Sequence, residues 1–414
     1  MSEQLVQEEF EGLEFDGLPS RTPTSPRRAA RRVDPFYDPL MWRSGSTLDW
    51  ASRRDAQRMV EAAAMMRLRP SLQIPEADAW ARIETTREKA LRIVGALQQW
   101  RSMTAEQAEA LTGIHNIDEG RTSWMRTLWA ADLLDFAAAG TLLGTYQSTA
   151  RLMRVSLASP AFARLLEGTT LAEFIAATGG RPLGQNRQYD RHNILTVELM
   201  LRVAEFTKMA AVVGELFSTY DLLLFGGTGR SLKSSDATLI REDGLRVAME
   251  LTAAHVEGRK KVAGVAATLR EARRPEVLVL FVNATGNTAT GRAFERAIEA
   301  EGYGVRDQIA IVDWTRWFPD EGHVAADFAK LPAQFFNGTT WSERSIMGLP
   351  TLTDSALLEA IRAAAGLHGT PHWMQQVERP SPSALAVRNA DFPDHRGRRG
   401  VAERGRRDTR ASAS

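Results

Sequence analysis

The sequence predicts an α+β chain with two folded units between disordered termini: a small unit of helices and a β-hairpin, then a larger mixed sheet flanked by helices. Three observations predict it. Apolar residues recur at helical spacing over Thr85–Trp100, and short strand-like runs follow at Leu133–Phe136 and Thr145–Leu157. Thr104-Ala-Glu-Gln107 is a capping-box pattern that opens one helix, and Gly113 closes it. Beyond about residue 190, helical and strand-like segments alternate in the order α-β-β-β-α-β-α-β, the pattern of a mixed sheet with helices on its faces.

Residues 1–45 are rich in Pro, Ser, Arg and Glu with little periodicity, and read as a mostly disordered arm. Ser46–Arg69 reads as one amphipathic helix that Pro70 stops. In the first unit, 84–157, Ala90, Leu91, Val94 and Leu97 form the buried stripe of the Thr85–Trp100 helix. A second helix covers Ala105–Leu111. A third, about Glu119–Ala131, carries Met125, Leu128 and Trp129 inward. Three helices followed by a hairpin is the order of a winged helix-turn-helix. A helical patch follows at about Pro160–Thr178, then a polar loop at Gly179–Asp190.

The second unit, 185–320, opens with a long helix over about His192–Tyr220. Strands are expected at Asp221–Phe225, Asp236–Ile240 and Leu245–Thr252, then a helix at Val256–Ala272, a strand at Val277–Asn283, a helix at Thr290–Glu301 and a strand at Gln308–Val312. Past about residue 320 the pattern weakens into loops, one helix at Asp354–Ala365, and a basic disordered tail over 380–414.

Composition narrows the chemistry. With 414 residues, 43% of them hydrophobic, the chain can bury a sizeable core. The absence of cysteine excludes disulfides, thiolate catalysis and Cys-based zinc sites, and fits a reducing compartment. The seven histidines show no paired ligand spacing such as HExxH. The longest apolar stretch, around Ile194–Phe217, is broken by Glu198, Arg202, Glu205, Lys208 and Glu215, so it reads as a buried helix rather than a membrane span. A soluble cytoplasmic protein with no membrane partner is the expectation. Net charge is only +1, yet Arg27, Arg28, Arg31 and Arg32 follow an acidic start, and the tail carries Arg396, Arg398, Arg399, Arg404, Arg406, Arg407 and Arg410. Such arms contact phosphates or remain solvated.

In a helix-turn-helix the second helix of the motif enters the major groove. The exposed side of Glu119–Ala131 offers Arg121, Thr122, Ser123 and Arg126 for base edges or phosphates, and the hairpin adds Arg151 and Arg154. Asp118 and Glu119 oppose such a contact. Docking onto another protein is the alternative use of the unit.

The second unit carries a pattern suited to metal-assisted phosphodiester chemistry. That chemistry needs carboxylates around Mg²⁺ and a Lys near the attacking water. In the PD-(D/E)xK arrangement an Asp opens one strand, and an Asp/Glu and a Lys share one face of the next. Here Asp236 and Glu250 occupy the carboxylate positions, while Thr252 stands where the Lys would be. Lys260 or Lys261 on the next helix is the candidate replacement, and Glu198 a candidate third metal ligand with Asp236 and Glu250. Each has a plainer reading: Glu198 as an i,i+4 partner of Arg202, the lysines as a solvated face, Asp236 as a strand start. Glu250 lies in an otherwise apolar strand, where an unpaired carboxylate is costly, so it requires a partner. Gly226-Gly-Thr-Gly229 lacks the spacing of a nucleotide loop and reads as a turn.

Taken together these segments resemble the actinobacterial replication-relaxation family of plasmids, integrative elements and phages. Met103–Leu111 matches its "LTaeQla.Ll" helix, and His192–Glu198 its "H-x-L-x-V" helix start. Lys233–Leu239 matches its "RPDavl" strand in divergent form, and Glu250 with Lys260 or Lys261 its "E-x-D" and downstream Lys; Thr252 stands where the Asp would be. The resemblance covers about Glu84–Val312. It implies a winged helix joined to a restriction-endonuclease-like fold, and double-stranded DNA and replication or transfer proteins as partners. A DNA-binding accessory protein without strong catalysis is the first expectation. A Mg²⁺-dependent nuclease or nickase and a protein-docking adaptor are the alternatives.

Overall fold

The computed structural model describes residues 32–38, 46–56, 74–120, 122–141, 147–157, 159–180, 182–184, 190–218, 234–253, 258–350 and 366–375. These residues form a mixed α+β structure with a four-stranded and a seven-stranded sheet.

The four-stranded sheet has the order β1-β3-β4-β2: β1 is Ser46–Ala51, β2 Ser102–Thr104, β3 Leu134–Thr141 and β4 Gln147–Val155. Helices α1 (Glu76–Thr85) and α2 (Arg87–Trp100) precede β2, and α3 (Ala105–Thr112) and α4 (Trp124–Ala130) follow it. The capping box forms as the sequence predicts. Thr104 Oγ1 accepts the Gln107 N–H at 3.1 Å, and the Gln107 side chain accepts the Thr104 N–H at 3.0 Å. Gly113 ends α3 in the left-handed region at φ 69°.

Two expectations fail here. The segment at 46–51 is a strand, paired antiparallel with β3 from Ser46↔Thr141 to Ala51↔Phe136. Its pairing closes an otherwise open sheet edge, which outweighs the local helical pattern. The third helix begins only at Trp124, because Asn116 (φ 62°) and Gly120 (φ 78°) hold the preceding residues in turns and Ser123 serves as N-cap.

The Pro160–Thr178 patch resolves into α5 (Ala161–Leu166) and α6 (Leu171–Thr178), with Gly168 between them and a Thr170–Glu173 capping box on the second. Helix α7 runs Asp190–Phe206 and stops well short of Tyr220. Met209–Gly214 then forms β5, antiparallel to β6 (Ala237–Arg241). The β-branched pair Val212 and Val213 inside an uninterrupted apolar run suits a strand buried on both faces.

The seven-stranded sheet has the order β11-β10-β9-β8-β7-β6-β5. β5, β6 and β7 (Arg246–Thr252) are antiparallel neighbours, while β7, β8 (Val277–Asn283) and β9 (Ile309–Asp313) are parallel. Helices α8 (Gly258–Ala272) and α9 (Thr288–Glu301) connect the parallel strands. Past residue 320 the sheet continues through β10 (Pro332–Phe336) and β11 (Trp341–Ser345), where the sequence reading saw only loops. The segments 221–225, 226–230, 354–365 and 380–414, like most of 1–45, lie outside the described residues.

Strand alternation sorts the sheet into two faces. Leu239, Val247, Met249, Leu251, Leu280 and Val282 join the core that α7 shares with the first unit. Ala248, Val279, Phe281 and Ile311 pack with Val262, Val265 and Leu269 of α8 and Phe294 and Ile298 of α9. Helix α7 is buried on every side from Asn193 to Ala204. A helix so enclosed must neutralise its charges internally. Glu198 meets Arg202 at 3.0 Å and Arg32 at 3.2 Å, Arg32 meets Glu205 at 2.6 Å, and Arg202 meets Asp34 at 2.7 Å. Residues 32–38 are therefore packed chain, against the expectation of disorder, and Phe36 stacks on Trp314 at 5.2 Å. Among the described residues no helix is long and apolar enough to cross a membrane.

Candidate functional site

The hairpin β6–β7 and the two helices on either side of it bring four charged side chains together. Asp236 precedes β6, and its backbone N–H donates to Met249 O at 2.9 Å. Its Oδ2 accepts the Leu251 N–H at 2.7 Å, which fixes the carboxylate across the hairpin. Its Oδ1 lies 3.0 Å from His192 Nε2, near the start of α7. Glu250 shares its sheet face with Ala248 and Thr252, and its Oε2 is 2.8 Å from Lys261 Nζ on α8. The Glu250 side chain is 6% exposed, and those of Asp236, His192 and Lys261 18%, 22% and 29%, so the cluster is enclosed on the acid side and open toward the lysine.

Electrostatics favour the charged forms of His192, Asp236 and Lys261. Burial pulls the His192 imidazole down, but the charge and hydrogen bond of Asp236 outweigh it and hold the imidazole above its ordinary range. Burial pushes Asp236 up, yet His192, Lys261 and the Leu251 N–H together depress it. Burial lowers Lys261, and Glu250 and Asp236 raise it by more. With His192 protonated, the two acids and two bases cancel. At the rim, burial raises Glu215 against the opposing pull of Arg101, which donates to it at 2.8 Å. Thr252 is 2% exposed, and its Oγ1 has no hydrogen-bond partner among the described residues.

The candidate residues separate clearly. Asp236, Glu250 and Lys261 come together. Lys260 is exposed on α8, and Lys261 is the lysine that meets Glu250. Glu198 does not join them: it is consumed by Arg32, Arg202 and the Gln107 amide, at 3.3 Å from the last. His192 belongs to the site without having been assigned a role there. The sequence signal was its place at the head of α7, but its partner lies far along the chain. Hard oxygen donors of the right kind for Mg²⁺ are present, but each carboxylate already holds a cation. No group of three His, Asp or Glu side chains among the described residues is arranged to bind a metal ion. Lys261 and His192 each take up one oxygen of these carboxylates, Glu250 Oε2 and Asp236 Oδ1.

The candidate DNA contacts also divide. Thr122 and Arg151 are exposed, and Arg126 is half-buried on α4. Ser123 is buried as the N-cap of α4, its hydroxyl turned to the Arg126 N–H, and it cannot reach a base. Arg154 points inward. It lies 3.4 Å from both Asp135 and Asp190 and 3.8 Å above the Trp50 ring, so it serves the fold rather than a phosphate. Arg121 lies outside the described residues. Six of the seven residues of α4 are buried, leaving Arg126 as its outward side chain.

No protein-family model, curated protein or solved structure matches this chain.

Proposed function

We propose that the chain is a DNA-binding accessory protein that grips a duplex by its phosphates without strong catalysis. Its setting would be the replication or mobilisation of a plasmid, integrative element or phage, a placement that rests on the family resemblance alone. Two connectivities support the reading. β2 lies between α2 and α3 and pairs with hairpin strand β4, as in a winged helix-turn-helix. The run α7-β5-β6-β7-α8-β8 has the αβββαβ order expected of a restriction-endonuclease-like core.

The observation that carries the proposal is the meeting of Asp236, Glu250 and Lys261 at one point of that core, with both carboxylates ion-paired. Free carboxylates would repel a phosphodiester backbone; the paired ones do not. The burial of α4 leaves little side-chain surface for reading bases, so binding rests mainly on phosphate contacts from residues such as Arg126 and Arg151 and is weakly sequence-specific.

The test is incubation of the protein with supercoiled plasmid and Mg²⁺ or Mn²⁺, beside a native gel shift. A salt-dependent shift with intact plasmid is the expected result. Nicking that disappears in Glu250→Ala would establish a nuclease instead. The absence of any shift at low salt would favour the protein-docking adaptor.

A further inference from the structure

A second polar site lies on the first unit, away from the charge cluster. A pocket of about 400 Å³ opens beside the α3–α4 turn and is lined by Arg82, Lys89, Arg92, His115 and Trp124, with Glu88 the acid among its lining residues. Three permanent cations thus face one carboxylate. Arg82 closes one wall: its guanidinium lies 4.4 Å over the Trp124 ring and donates to Thr127 Oγ1 at 2.8 Å and to the Thr122 carbonyl. Arg92 forms another. Its Nη2 donates to Glu88 at 2.9 Å, but its Nε is buried with no hydrogen-bond partner among the described residues. Glu88 is 80% exposed and holds Arg92 from the solvent side, so it offsets little of the field inside. Lys89 is exposed, with its ammonium available. His115 is held by Glu109 at 3.0 Å.

Arg92, whose side chain is 29% exposed, and the exposed Lys89 stand beside Arg82 in a lining with a single carboxylate, and such an excess of cationic donors suits an anionic oxygen acceptor. A guanidinium fork and a lysine ammonium together suit the tetrahedral oxygens of a phosphate. We infer that this pocket is a phosphate-binding site, in which Arg92 and Lys89 hold the phosphoryl oxygens and Arg82 positions the wall. The site takes the phosphate whether a nucleic-acid backbone or a soluble phosphate carries it, so the inference goes beyond the duplex reading and survives its failure.

Isothermal titration of the full chain with inorganic phosphate tests it, with sodium chloride of matched ionic strength as the control. Saturable phosphate binding that weakens at least about tenfold in Lys89→Gln/Arg92→Gln, the loss expected when charge-assisted hydrogen bonds go, is the expected result. Both side chains lie at the surface of α2, and unchanged circular dichroism and melting would show that the variant is folded. Glu88→Gln, which weakens the hold on Arg92 Nη2 but removes little of the opposing field, should leave phosphate binding unchanged or modestly tighter. A short duplex titrated in parallel separates the sources: an equal loss in the double variant assigns the phosphate to a nucleic-acid backbone, and duplex binding that is unaffected assigns it to a soluble phosphate. Phosphate heats no different from chloride, or identical binding by wild type and double variant, would overturn the site.

Discussion

Replacing Lys261 by Met should destabilise the protein far more than a surface substitution would. The change leaves Glu250, whose side chain is 6% exposed, without its cation at 2.8 Å. Breaking a buried ion pair from one side costs about 3–5 kcal/mol. Lys261 is itself 29% exposed, so the site admits some water and the low end, about 3 kcal/mol, is the expectation. Glu250→Gln should cost less, because the freed ammonium can turn to solvent. The double variant Glu250→Gln/Lys261→Met removes both charges and should recover most of the loss, giving a coupling of about 2 kcal/mol between the two positions. Urea midpoints at unchanged slope measure all three. Additive single effects would show that the two side chains do not share an ion pair, and would remove the basis for treating the cluster as charge-balanced.

Other predictions concern the arginines, two histidines and two glycines. Arg154→Ala should lower stability by about 3 kcal/mol, since Asp135, 1% exposed, then loses its arginine at 3.4 Å, whereas Arg126→Ala and Arg151→Ala should leave stability intact and weaken duplex binding. The reverse pattern in melting and gel-shift measurements would undo the division of roles. His368 is held down to about 4 from 6.5 by burial, so the unfolded chain takes up a proton that the folded chain refuses, and stability falls as pH falls between those values. Its contribution makes the protein about 2 kcal/mol less stable at pH 5 than at pH 7, a difference that His368→Gln should remove in paired urea titrations. His192 has the opposite sign: raised by Asp236, its contribution is present below its ordinary value and lost as pH rises through the raised one. Gly179→Ala should be much costlier than Gly120→Ala. Both have positive φ, 63° and 78°, but a Cβ at 179 would lie 1.9 Å from Phe217, while nothing lies within 4 Å at 120. Equal melting losses would contradict this.

Local chemistry was legible in the sequence, and long-range pairing was not. The Thr104 capping box and the β8 limits, Val277–Asn283, follow from signals within a few residues, and the structure has both. The requirement that Glu250 find a partner followed from its apolar strand, and Lys261 on the next helix meets it. β1 was read as helix because its partner, β3, lies far away in sequence and only the completed edge favours a strand. β5 was absorbed into α7 because an unbroken apolar run has no period to distinguish the two. β10 and β11 were missed although Asn337-Gly338, with Gly338 at φ 103°, is a hairpin signal; mostly exposed β11 shows no alternation to support it. Arg154 and Asp135 stand directly opposite across the hairpin, a pairing that only the register reveals. His192 and Asp236 likewise meet through tertiary packing of α7 on the sheet.

A chain that holds duplex DNA through its phosphates must bind with a steep dependence on salt. Fluorescence anisotropy of a labelled duplex, titrated with the full chain at a series of salt concentrations, tests it most directly. The expected result is a straight fall of log affinity with log salt, with a slope of about −3 or steeper for three or more phosphate contacts, little dependence on duplex sequence, and a shallower slope in Arg126→Ala/Arg151→Ala. A slope near zero, or no binding at low salt, would contradict it.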